Sequence, residues 1–232
     1  AGLLLAAGAS TRMGQPKQLL RVGEETLLGR ILGEVLGSDL DLIVLVLGYQ
    51  AHEIKQGLRT DLHHPKLKIV ENKNYLDGIS TSIITGLSEV EEGFEHVMII
   101  LADMPLVNSS LINLLLHEYM ASHLQLGAIK LIGRRSHPVI IGRQFYDELR
   151  LLKGDVGARD LFLKYADEVC LVEPEQDYDD VDILFELSNG AIGSMTHSVN
   201  VQPGAWDCHI AGTEGCLYLT SIMIVKDGEE LP

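Results

Sequence analysis

The chain has 232 residues, of which 46% are hydrophobic and 22% charged, enough for one generous α/β domain or one domain with a small appendage. Its 18 basic and 33 acidic residues give a formal net charge of -15, which excludes indiscriminate adhesion to nucleic acid or anionic membranes. No apolar run is long enough to span a bilayer, and three scattered cysteines, Cys170, Cys208 and Cys216, without a CxxC pair exclude a zinc knuckle or redox couple.

The chain opens with an apolar run, Gly2 to Ala7, that reads as a buried strand turning at Gly8. It has no initiator Met and no basic residues before that run, so the expectation is a piece lacking its first few residues, with no signal peptide and reduced thiols in the cytoplasm. Leu27, Leu28, Ile31, Leu32, Val35 and Leu36 recur at helical spacing and predict a helix over 26–36. Further strands are predicted at 42–47, closed by Gly48, and at 67–70. A helix over 80–90 has Ser80, Thr81 and Ser82 as candidate N-caps. A strand over 97–101 stops at Ala102-Asp103. Ser109 or Ser110 can cap a helix through Leu111 to Met120. Strands are predicted at 128–132, 139–141 and 169–172, with a helix over 159–166.

Unalternating strands among amphipathic helices imply an α/β three-layer sandwich on a mostly parallel sheet. Ligands of such sheets bind beyond the carboxyl ends of the strands, where Gly8, Gly48 and Asp103 all fall. After about Asp180 the helical periodicity ends. Turn signals at 188–190, 202–204, 212–215 and 227–228 predict a short β-rich tail. The division expected is a domain over 1–182 and a tail over 183–232.

The segment from Leu5 to Lys17 reads LAAGASTRMGQPK. Small residues let a backbone approach a phosphate chain closely, and consecutive amides can form an anion-binding concavity. Arg12 and Lys17 add two cations of different character, a fork and a mobile point charge. Gln15, not Lys-Ser/Thr, follows Gly14, so this is not the NTPase phosphate loop, and no GxGxxG follows the strand. Composition alone leaves two readings level: a phosphate cradle, or a plain turn with two solvated cations. Asp103 at a strand end suits a magnesium ion, which takes one or two carboxylates and fills its shell with phosphate and water.

Leu5-Ala6-Ala7-Gly8, Arg12-Met13-Gly14 and Pro16-Lys17-Gln18-Leu19-Leu20 together resemble the signature of the MobA-like nucleotidyltransferases, most of all the molybdenum cofactor cytidylyltransferase group. Residues 74–82, 101–105, 137–139 and 154–159 resemble, in order, that family's second nucleotide segment, metal-binding strand end and substrate-side segments. The resemblance implies a nucleotide-diphospho-sugar transferase-like fold and a nucleotide site at Leu5, Ala6, Ala7, Gly8, Lys17, Asn74, Gly78 and Ser80. It implies Arg12, Lys17 and Asp103 as catalytic residues, and Mg2+ on Asp103 and Asp182. At Asp182 the sequence departs from the family pattern, since Ile183-Leu184-Phe185 follows where Thr-Pro-Glu is usual. Ala7, where guanylyl enzymes tend to carry Gly, goes with CTP. The implied reaction moves CMP from CTP to a molybdopterin-type phosphate with release of pyrophosphate, and implies delivery to a molybdoenzyme. Transfer to a sugar or alcohol phosphate and noncatalytic nucleotide binding are the alternatives. His137 is expected near the acceptor, as a structural hydrogen bonder rather than a general base. Asp155 and Arg159 read equally as acceptor contacts or surface charge. The tail, Phe185 to Leu219, resembles part of the C-terminal domain of the Gfo/Idh/MocA oxidoreductases. No dinucleotide domain precedes it in the sequence, so dehydrogenase activity is not implied. A fused segment, a homodimer-forming sheet and an artefact of sequence joining remain open for it.

Overall fold

The computed structural model describes residues 1–9, 16–22, 25–131 and 134–174, and beyond these only the backbone of strands in the tail. Two compact units are present, Ala1–Pro174 and Glu175–Pro232.

The first unit runs β1 (Gly2–Ala6), a 3-10 turn (Lys17–Leu19), β2 (Arg21–Val22), β3 (Glu25–Thr26), α1 (Leu27–Leu36), β4 (Ile43–Leu47), α2 (Ala51–Gly57) and β5 (Leu67–Glu71). It continues through a 3-10 turn (Tyr75–Asp77), α3 (Ile79–Leu87), β6 (His96–Leu101), α4 (Ser109–Ser122), β7 (Leu126–Leu131), β8 (Arg134–Gly142), α5 (Tyr146–Arg150), α6 (Arg159–Lys164) and β9 (Val169–Val172). Seven strands form one sheet in the order β5-β4-β1-β6-β8-β7-β9. β1 pairs in parallel with β4 and β6, β4 with β5, and β7 with β9; β8 runs antiparallel to both neighbours. The fold is therefore the mostly parallel α/β sandwich expected.

Alternation along each strand supplies two buried faces. Leu3, Leu5, Val44, Val46, Val97 and Ile99 pack with Ile83 and Leu87 of α3, Leu149 of α5 and Phe162 of α6. Leu4, Leu45 and Ile100 alternate with them and are fully buried on the other side, where α1 and α4 pack. From α1, Leu28, Ile31, Leu32 and Val35 are at most 1% exposed, each burial worth about 1.5–3 kcal/mol. Thr26 caps that helix, its side chain accepting from Gly29 N at 3.0 Å.

Two expected caps are corrected. α3 begins at Ile79 behind Gly78, whose φ of 100° and ψ of 172° only glycine adopts readily. Ser80 and Ser82 are inside the helix and buried, and Thr81 Oγ1 lies 2.8 Å from the Gly78 carbonyl. α4 is capped by Asn108, which accepts from Leu111 N at 2.9 Å, and Ser109 is its first residue. α2 and α5 were not anticipated, because each is short and its apolar repeats are few. No helix among the described residues is long and apolar enough to cross a membrane.

The second unit contains β10 (Val181–Glu186), β11 (Ile192–His197), β12 (Cys208–Gly212) and β13 (Gly215–Leu219) in one antiparallel sheet, and a β14 (Val225–Lys226) and β15 (Glu229–Glu230) pair. Gly212 stands opposite Gly215 in the β12–β13 register and Lys226 opposite Glu229 in the β14–β15 register; the turns predicted at 188–190, 202–204 and 227–228, and the middle of the one at 212–215, lie outside the described residues.

Candidate functional site

The carboxyl ends of β1 and β6 and the start of α3 converge on a cleft of about 460 Å3. Leu5, Ala6, Ala7 and Gly8 line it from β1, Lys17 from the loop's far end, and Asp103 from the end of β6. These are six of the residues expected from the sequence, brought together across nearly a hundred positions.

The loop is held by its carbonyls. Leu5 O accepts from Ala102 N at 3.1 Å and Ala7 O from Tyr49 N at 3.2 Å. The Gln18 amide nitrogen donates to Ala6 O at 2.7 Å and Gly8 O at 3.1 Å. The acceptor oxygens that would repel an anion are thus engaged by the scaffold. Among the described residues the N–H groups of Gly8 and Ala9 donate no hydrogen bond, the arrangement an anion-binding turn requires. Gln18 is 1% exposed. It stood within the signature without an assigned role, and only its polarity among Pro16, Leu19 and Leu20 marked it.

Lys17 Nζ donates to Asp103 Oδ2 at 2.7 Å. The two side chains are 35% and 44% exposed, so the pair faces the cleft rather than the core. A cation and a carboxylate in contact at a cleft floor can exchange partners when a phosphate chain and a divalent ion arrive. Among the described residues no group of three or more His, Cys, Asp or Glu side chains is placed to hold a metal ion. One hard oxygen ligand at a strand end does not suit zinc, which wants several protein donors. It fits an ion that completes its shell with phosphate and water.

The opposite wall is set by Gly78. A Cβ there would lie 2.1 Å from the Gly154 backbone carbon, so the Gly154-Asp155 turn packs directly on the start of α3, and Gly154 O accepts from Ser80 N at 3.2 Å. Gly78, Ser82 and Asp155 line the cleft; Asn74 and Ser80 do not. Asn74 is exposed and its backbone N–H donates to Asn72 Oδ1. Ser80 is 1% exposed. The organising residue is Asn72, 2% exposed, whose amide donates to Thr81 Oγ1 at 2.8 Å and Ser82 Oγ at 2.9 Å. Its signal in the sequence is a polar residue directly after a strand. Gly48 serves the same close packing, since a Cβ would meet Ala7 O and Tyr75 Cβ at 2.8 Å.

Arg12 lies outside the described residues. Asp182 belongs to β10 of the second unit, where only the backbone is described. His137 on β8 lines a neighbouring cavity with Arg159. Burial holds its imidazole below the ordinary range, opposed by a backbone hydrogen bond to Ile99 and helped by Arg135.

The comparisons with known proteins agree with this geometry. The chain is 30% identical over 160 residues to the bifunctional protein GlmU of Prochlorococcus marinus, which covers 68% of this chain and 34% of that protein. The chain thus spans about a third of the length of the curated relatives it matches. The crystal structure of an Rv0371c homolog from Mycobacterium sp. strain JC1 superposes with a TM-score of 0.64 at 26% identity, covering 75% of this chain and 84% of that one. Rv0371c of Mycobacterium tuberculosis H37Rv, solved as a complex with manganese, superposes at 0.62 with 25% identity over 75% of this chain and 86% of its own. Residues 2–169 match the family described as the MobA-like NTP transferase domain, and the chain belongs to that family.

Proposed function

We propose that the chain is a nucleotidyltransferase that moves CMP from CTP to the phosphate of a molybdopterin-type acceptor and releases pyrophosphate. The observation that carries the reading is the 2.7 Å contact of Lys17 with Asp103 at the floor of a cleft walled by Leu5 to Gly8. The family membership supports the reaction class; Ala7 and the resemblance of the substrate-side segments support CTP and the acceptor.

The triphosphate lies along the Ala6–Lys17 loop, its oxygens accepting from the N–H groups of Gly8 and Ala9. Lys17 turns from Asp103 to the phosphates and, with Arg12, stabilises the charge that gathers on the leaving group. Asp103 would hold magnesium, which supplies electrostatic stabilisation of the phosphate oxygens. The acceptor oxygen attacks the α-phosphorus in line. A new oxygen–phosphorus bond forms, and the bond to the bridging oxygen breaks with its electron pair leaving on pyrophosphate. No protein nucleophile is needed, so positioning and charge do the work. The resemblance assigns a second metal carboxylate to Asp182, which Asp182→Asn tests separately from Asp103→Asn.

The experiment is pyrophosphate release from each of four triphosphates with magnesium and a panel of phosphate acceptors. CTP with the molybdopterin-type acceptor is expected to be fastest. Release with a sugar or alcohol phosphate instead would reassign the acceptor, and binding without turnover on the whole panel would leave a nucleotide-binding module.

A further inference from the structure

A separate cavity of about 390 Å3 lies between the β2–β3 hairpin, α1 and the end of α2. It shares no lining residue with the cleft or with the cavity beside His137. The Lys17–Leu19 turn stands between it and the cleft. Lys17 and Gln18 line the cleft, while Leu19 packs on Gly57 of this cavity's wall, its Cδ2 2.6 Å from where a Cβ would stand.

The lining is unlike that of the other two cavities. Among the described residues it consists of arginine, glutamate, threonine and glycine, with no aromatic or aliphatic side chain larger than the threonine methyls. Arg21 on β2 and Arg59 after α2 bring two cations, and Glu25 on β3 brings one carboxylate. Among the described residues none of these three forms an ion pair, so the carboxylate does not neutralise either guanidinium. Two hydroxyls flank the bare α-carbon of Gly29: Thr26 Oγ1 lies 2.9 Å, and Thr60 Oγ1 3.8 Å, from the point a Cβ would take. One turn further along α1, a Cβ on Gly33 would meet nothing within 4 Å, so the cavity continues as open space beside the helix.

We infer that this cavity is a second ligand site, and that it takes a small hydroxylated oxyanion such as a polyol phosphate. Its size is that of a small-molecule site, about 300–1,000 Å3, but it offers no hydrocarbon on which an apolar body could rest. Each guanidinium presents a fork of N–H donors that matches phosphate oxygens. The threonine hydroxyls add two more donors. Glu25 can only accept, so it favours a ligand that brings a hydroxyl and disfavours a bare anion. The site is independent of the nucleotide-transfer reading, and its test uses no nucleotide.

The probe is glycerol 3-phosphate, titrated calorimetrically into the full chain, with glycerol and inorganic sulfate as comparators. Glycerol 3-phosphate is expected to bind, and more weakly as salt rises. Glycerol, which lacks the charge, and sulfate, which lacks the hydroxyl, are each expected to bind at least about tenfold more weakly, the scale of hydrogen bonds to a charged group. Arg59→Gln, at an exposed position, is expected to weaken glycerol 3-phosphate about tenfold or more. Glu25→Gln is expected to narrow the difference between glycerol 3-phosphate and sulfate. Gly33→Leu fills the open space without touching a charge and improves helix propensity. It is expected to abolish binding with Tm held or raised, which separates a blocked site from an unfolded chain. Absence of glycerol 3-phosphate binding, equal binding of glycerol, or binding that survives both Arg59→Gln and Gly33→Leu overturns the inference.

Discussion

Replacing Asp103 by Asn separates stability from function more cleanly than any other substitution in the cleft. The shape is kept and the charge removed. The ion pair with Lys17 is 2.7 Å long, but the side chains are 35% and 44% exposed, and such pairs contribute about 0–1 kcal/mol. For a chain of this size that is a fall in Tm of about 4 °C at most. Binding is expected to respond quite differently. Loss of one charged metal–phosphate anchor, taken as about 1.5–3 kcal/mol, weakens magnesium-CTP by about 10- to 150-fold. Without magnesium the sign reverses, because Asp103 repels the triphosphate and competes for Lys17. Asp103→Asn then binds CTP as well as wild type or better. Calorimetric titration of both proteins with CTP, with magnesium and with chelator, reads all four values. The reasoning is refuted if Asp103→Asn keeps wild-type affinity in magnesium, or if its Tm falls by about 10 °C, since the carboxylate would then be structural.

Gly78→Ala forces a side chain onto φ 100° and against the Gly154 backbone. A loss of about 2–4 kcal/mol in denaturant unfolding is expected, together with weakened CTP binding; a change under about 0.5 kcal/mol contradicts the packing described. Gln18→Leu keeps the volume but removes the donor to Ala6 O and Gly8 O. It is expected to cost about 1–3 kcal/mol and to loosen the loop, read as weaker CTP binding by calorimetry; unchanged affinity would show that the loop holds without it. His137 is held below its ordinary range chiefly by burial, as is His96. The unfolded chain therefore binds protons first as pH falls. Stability is intact above about pH 6.5 and is lost as pH drops through the folded values. NMR titration of His137 giving a pKa at or above the ordinary value would contradict this.

The fold was readable where burial writes itself into composition. β1, β4 and β6 are continuous apolar runs because helices cover both sheet faces. That Lys17 and Asp103 would fall at one candidate site was suggested by a loop of small residues and cations and by an aspartate closing a buried strand, and the two do line one cleft. The caps were misread because Ser80 and Ser109 offer the same hydroxyl chemistry as a cap, and only the backbone at Gly78 and the side chain of Asn108 decide the register. Gln18 and Asn72 were missed for one reason: each acts by tying segments distant in space, and nothing in their local pattern distinguishes a buried amide from an exposed one. The approach of Arg135 to Arg159 was not legible because the two stand 24 positions apart in the sequence, and only folding brings the Arg135 guanidinium to the Arg159 carbonyl.

The most direct measurement is a crystal structure of the chain grown with CTP and manganese, located by its anomalous signal. The triphosphate is predicted along Ala6 to Lys17, with the metal bound to an Asp103 oxygen and Lys17 turned toward phosphate. A metal away from Asp103, or a triphosphate bound outside this cleft, would contradict the account.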